Sequence, residues 1–180
     1  APRLPEVTPA TAPELIRGAR TLWRQGQYDD AIEAVKSVLK GEGLESLSNV
    51  DRNDARYLLA TIHRDRGDYG KAATLLRLLA AEHGAPSSRL AKLELARVMA
   101  RHLGDRGQAS QLLRQLTADG VNDLIAEESL FELCALHLKA GAVTQAANCL
   151  AQFVERFSQS DRIDTARELL KGLAPKEEAR

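Results

Sequence analysis

Apolar residues recur along this chain at spacings of three and four, in stretches of about fourteen residues separated by polar, glycine-bearing breaks. Leu15, Ala19 and Leu22 form one set, followed after a break by Ala31, Val35 and Val38. Leu59, Ala60 and His63 precede Ala72, Leu76 and Leu79. Leu95, Ala96 and Met99 precede Ala109, Leu113 and Leu116. Leu133, Cys134 and His137 precede Ala146, Leu150 and Phe153. Such spacing places each set on one face of a helix. A helix of this length is marginal alone in water, so each must bury its stripe against a neighbour. The pattern predicts eight helices in four antiparallel pairs.

The breaks repeat as well. Gly26-Gln27-Tyr28-Asp29-Asp30-Ala31, Gly67-Asp68-Tyr69-Gly70-Lys71-Ala72 and Gly104-Asp105-Arg106-Gly107-Gln108-Ala109 share a layout, and Gly141 to Ala146 is a weaker copy. The glycines are 41, 37 and 37 residues apart, a period that marks a helical repeat. A glycine there admits the left-handed conformation that ends a helix, and the alanine five residues on lets the second helix approach the first. Ala96 to Gly104 is one residue longer than Ala60 to Gly67, so the third unit holds an insertion.

Thr21 to Ile32, with its small residue, Trp23, Gly26, Tyr28 and Ala31 in order, resembles the turn region of the tetratricopeptide repeat (TPR). Leu59-Ala60 with Gly67 to Ala72 resembles it nearly as well; the third copy has Arg106, and the fourth Val143, where an aromatic is usual. The resemblance implies an all-α, right-handed α-α superhelix, a TPR solenoid of about four hairpins plus a C-terminal capping helix. The hairpins are expected at about 11–41, 51–83, 87–118 and 122–157, and the cap at 160–173, within a domain spanning 11–174. Pro2, Pro5 and Pro9 mark residues 1–10 as an extended leader, and 175–180 as a polar tail. Thr11 and Glu14 read as a capping box, Gly41 to Val50 as a loop, and Ser160 as an N-cap. The chain has no signal peptide and no initiating Met, which reads as a processed chain or a piece of a longer one.

Composition narrows the function. Lys plus Arg and Asp plus Glu are 25 each, so the chain lacks the basic excess on which nucleic-acid binding usually depends. Nucleic acid is therefore an unfavoured partner. No apolar run reaches the roughly 20 residues of a transmembrane helix, although a tether in a longer parent protein would be compatible. His63, His83, His102 and His137 form no i,i+4 pair and no metal motif; His63 and His137 read as core residues. No phosphate loop and no ordered nucleophile appears, so no catalytic residue, cofactor or metal is assigned. Cys134 and Cys149 each lie on an apolar stripe and read as small buried hydrophobes; spacing leaves a bridge between facing helices open.

The resemblance implies binding of a protein or peptide on the concave face formed by the first helix of each pair. On that face lie Arg17, Arg20, Trp23 and Arg24; Tyr57, Thr61 and Arg64; Arg97 and Arg101; and Phe131 and Leu138. Its arginines point to a partner carrying carboxylates. The family's clamp for a C-terminal carboxylate needs Lys and Asn, whereas the matching places here hold Ile16, Arg20, Leu58, Leu90 and Glu94. That clamp is not carried over. The segment Ala146 to Ser160, with Phe153, Phe157 and the following Ala166 and Leu169-Leu170, resembles a bacterial variety of the repeat common in envelope and periplasmic assembly proteins. It implies a scaffold in a bacterial envelope or multiprotein complex; a cytoplasmic adaptor or regulatory module is the alternative, and self-association remains open.

Overall fold

The structure, a computed structural model, describes residues 11–40, 47–82, 86–118 and 120–173. Among them are nine α-helices and no strand. They are α1 (Ala12–Arg24), α2 (Tyr28–Val38), α3 (Asn49–Arg66), α4 (Tyr69–Ala81), α5 (Pro86–Val98), α6 (Arg106–Ala118), α7 (Leu124–Lys139), α8 (Val143–Arg156) and α9 (Ile163–Leu173). None of them is long and apolar enough to cross a membrane. The expected leader and tail, and His83, lie outside the described residues.

The chain divides into two compact units, residues 1–104 and 105–180. In the first, α1 packs on α2, α2 on α3, α3 on α4 and α4 on α5. In the second, α6 packs on α7, α7 on α8 and α8 on α9. The division falls inside the segment read as a third hairpin.

The glycine turns form as the periodicity requires. Gly26, Gly67, Gly104 and Gly141 have φ of 77°, 94°, 73° and 68°, a region costly for any residue with a Cβ. At three of them the next residue donates its N–H to a carbonyl five residues back: Gln27 to Leu22, Asp68 to His63 and Ala142 to His137. These bonds satisfy helix-end carbonyls that would otherwise be unpaired. Ala31, Ala72, Ala109 and Ala146 are all fully buried, and across Gly26, Gly67 and Gly141 the helix carrying the alanine packs on the helix before the turn. A leucine at Ala72 would need space no neighbour leaves, at a cost of about 1–3 kcal/mol.

The extra residue of the third unit has a visible home. After Val98 the helix winds through a π-helical turn, Met99–Leu103, before Gly104. A π turn takes up one more residue than an α turn, so the apolar stripe upstream keeps its register while the glycine still closes the helix.

Three sequence readings need correction. Cys134 and Cys149 are not merely packed hydrophobes: they are joined in a disulfide between α7 and α8, with Cα atoms 5.3 Å apart. They face one another because the two helices run antiparallel across the Gly141 turn. Thr11 forms no capping box: its φ and ψ of −91° and −20° are helical, and its side chain makes no cap bond. An N-cap needs extended backbone to aim its oxygen at the helix N–H groups. The loop does not run on to Val50, because Ser48, extended at ψ 158°, accepts from Asp51 N–H and starts α3 at Asn49.

His63 fills a core position, 4% exposed, with Nδ1 3.1 Å from Asp68 Oδ2. Burial holds its pKa below the ordinary 6.5, with the Asp68 contact opposing; burial, aided by Arg114, acts the same way on His137. A depressed folded-state pKa means the unfolded chain takes up protons first on acidification. The stability these imidazoles contribute is present above pH about 6.5 and is lost as pH falls through their folded values. Urea midpoints measured at pH 7.5 and 5.5 should therefore fall with acidification. Replacing both histidines by glutamine should shrink that fall.

Candidate interaction groove

The first unit presents a groove between α1 and α3. Ala12 and Ala19 turn inward and are buried, which leaves Arg17, Arg20 and Arg24 exposed and Ile16 and Trp23 half-buried along it. On α3, Ala55, Leu58, Leu59 and Ile62 are buried, so Asp51, Asp54, Tyr57, Thr61 and Arg64 are displayed. Trp23 ties the two walls: its indole N–H donates to Asp65 Oδ2 at 3.0 Å.

Two cavities of about 330 Å³ each open along this groove. The floor of the first is apolar, from Ala12, Ile16, Val38, Leu47 and Ala55, and its rim carries Arg17 and Arg20 opposite Asp51 and Asp54. The second is bounded by Trp23, Tyr57, Leu58, Thr61, Arg64 and Glu94. Arg20 and Asp54 line both, and so form the waist between them.

The charge is unevenly spent. Glu94, from α5, accepts Arg64 Nη1 at 2.8 Å and Arg97 Nη1 at 2.7 Å, while Arg64 Nε also bonds Asp65 at 2.9 Å. These two arginines are already engaged. Burial, then the charge of Glu94, pushes the Tyr57 phenol up to about 12, so it stays a neutral donor. Thr61 gives its hydroxyl proton to the Tyr57 carbonyl. At the α1 end, the side chains of Arg17, Arg20 and Arg24 make no hydrogen bond or ion pair among the described residues. Asp51 is occupied by the Ser48 hydroxyl at 2.6 Å, and Asp54 has no such partner there.

Of the residues assigned to a binding face by sequence, Arg17, Arg20, Trp23, Tyr57, Thr61 and Arg64 line these cavities. Arg24 is exposed beside them. Arg97 stands behind Glu94, and Arg101 is exposed in the π turn, away from the cavity linings. Phe131 and Leu138 belong to the second unit. There Phe131 meets Phe153 edge-on at 5.3 Å and lies under the Arg162 guanidinium at 5.0 Å, while Leu138 is half-buried. Sequence reasoning missed Asp51 and Asp54. Their spacing to Tyr57, Leu58 and Thr61 puts them on the same helical face and would have found them. No cluster of His, Cys, Asp and Glu able to hold a metal occurs among the described residues.

Repeated glycine-closed hairpins with buried crossing alanines, and an open groove between successive first helices, define a helical-repeat binding protein. The tetratricopeptide repeat profile matches residues 16–88 and 57–120, more than half of the chain, and the chain belongs to the tetratricopeptide repeat family. Repeats of this family generally mediate protein–protein interaction, and the fold is typically a non-catalytic scaffold. Among solved structures the chain is similar to the nearly identical TPR-like repeats of a Podosopora anserina protein described as a kinesin light chain. The TM-score is 0.70 at 21% identity, over 92% of this chain and 86% of that one. A single-residue variant of the same repeats gives a TM-score of 0.71 at 21% identity, over 95% and 87%. No curated protein matches in sequence. At this identity the likeness speaks for the fold alone.

Proposed function

We propose that this chain is a scaffold that holds a carboxylate-bearing segment of another protein in the groove between α1 and α3. The observation that carries the reading is the pair of arginines at the α1 end, Arg17 and Arg20, whose side chains have no partner among the described residues and which stand above an apolar floor. A guanidinium with no internal carboxylate has its full hydrogen-bonding fork available, and carboxylates fit that fork in pairs. Arg64 and Arg97, engaged by Glu94, instead keep the far end of the groove rigid. The acid-binding role thus rests on α1 more than on the whole set of six arginines read from sequence.

The Cys134–Cys149 disulfide supports a place of work in an oxidising compartment, since such bonds persist outside the cytosol. That favours assembly work in a bacterial envelope over a cytoplasmic adaptor.

The test is affinity capture with this chain and with an Arg17→Glu, Arg20→Glu variant. A partner held by the unaltered chain should bind the variant more than tenfold more weakly, with helical content and melting temperature unchanged. Raising salt from about 50 to about 500 mM should weaken the wild-type complex too, because exposed charges are screened. A partner indifferent to both changes would move the binding surface elsewhere.

A further inference from the structure

Resting on that reading of the groove, we infer the form of segment it accepts: an extended, polyproline-II-like strand with apolar residues at positions i and i+3. Between them would stand one acidic residue and one donor. The groove sets the spacing. Ile16 on the floor of the first cavity and Trp23 in the second are seven residues apart on α1. At 1.5 Å per helical residue this is about 10.5 Å. On α3, Ala55 and Thr61 give about 9 Å by the same measure. The two cavities are therefore roughly 10 Å apart along the helices.

Three residues of polyproline II advance about 9.3 Å, and its threefold repeat returns residue i+3 to the face of residue i. A β-strand repeats a face every second residue, at about 6.6 Å or 13 Å, and would seat one anchor while missing the other. A helical ligand is about 10–12 Å across with its side chains. Here α1 and α3 touch, so such a ligand would ride over the rim without reaching the floor.

The same threefold geometry assigns the two residues between the anchors. With i and i+3 directed down, i+1 and i+2 turn to opposite walls. On one wall stands Arg20, which takes a carboxylate; on the other stands Asp54, which takes a lysine or an amide N–H. A strand without internal hydrogen bonds also presents its own N–H and C=O groups to these walls and loses little entropy on binding.

The readout is built in. Trp23 is the single tryptophan of the chain and lines the second cavity, so its emission reports occupancy directly. The probes are synthetic peptides with proline pairs flanking Leu-Glu-Lys-Leu, its Lys-Glu counterpart, and isomers of equal composition with the leucines two or four residues apart. The spacing of three should bind at least fivefold more tightly than either isomer, and Arg20→Glu should weaken it at least fivefold. Equal binding of all spacings, with Arg20→Glu still weakening each, overturns the spacing rule and leaves the groove as a protein-binding surface. No change in emission, or binding that ignores Arg20→Glu, sinks the spacing rule and the groove reading together.

Discussion

Replacing Phe153 by alanine should cost about 3–5 kcal/mol, the range for emptying a fully buried aromatic site. Phe153 is 0% exposed on α8, and its ring meets Phe131 at 5.3 Å and Phe157 at 5.6 Å. Alanine would remove both aromatic contacts and leave a cavity that the surrounding structure can only partly relax to fill. Phe157 is stacked by the Arg156 guanidinium and Phe131 by that of Arg162, so both rings beside the site are held from outside as well. Urea unfolding followed by helical circular dichroism measures the effect. Phe153→Leu, which keeps most of the volume, should cost clearly less. A loss below about 1 kcal/mol for the alanine variant would mean that the site is not the packed centre described.

Removing the disulfide should come next in size. Cys134 and Cys149 are 15 residues apart in sequence, and closing a loop of that length lowers the entropy of the unfolded chain by about 3 kcal/mol. For a chain of this size that is a melting-temperature drop of about 6–12 °C. Alanine at both positions keeps the burial apolar, so the drop isolates the cross-link. A reductant should lower the wild-type melting temperature by a similar amount and leave the double variant unchanged. Two free thiols in the purified, air-exposed protein, or a melting curve indifferent to reductant, would show that the bond contributes nothing.

These two effects lie in the second unit, while the ligand chemistry lies in the first. Destabilising variants of α7 and α8 and charge variants of α1 therefore probe different properties. Arg20→Glu tests recognition at an exposed position, where a substitution away from any packed contact usually changes stability by less than about 0.5 kcal/mol.

The helices, their pairing across Gly26, Gly67 and Gly141 and the residues that close those turns were legible in the sequence. The stripe through Leu76 and Leu79 or through Leu113 and Leu116 has only one consistent period, and that period fixes which residues must be buried. Gly26 and Gly67 are legible because a backbone at φ of 77° or 94° is open to few other residues. Ala72 and Ala146 are legible because each recurs five positions after its glycine. These are local rules, and they hold wherever the chain is read.

What tertiary structure alone decided depends on which helices meet, and at what depth. Glu94 looks like one more surface carboxylate until α5 sets it between Arg64 and Arg97, which turns two candidate ligand arginines into fixed structure. Arg20 and Asp54 share a groove only because α1 and α3 lie side by side. Cys134 and Cys149 could have sat on their stripes as plain hydrophobes; a register bringing their Cα atoms to 5.3 Å made them a bond. The inserted residue before Gly104 was visible as a count, but not as a π turn. Periodicity tells a side chain which way to face along its own helix. Only packing tells it what it will find there.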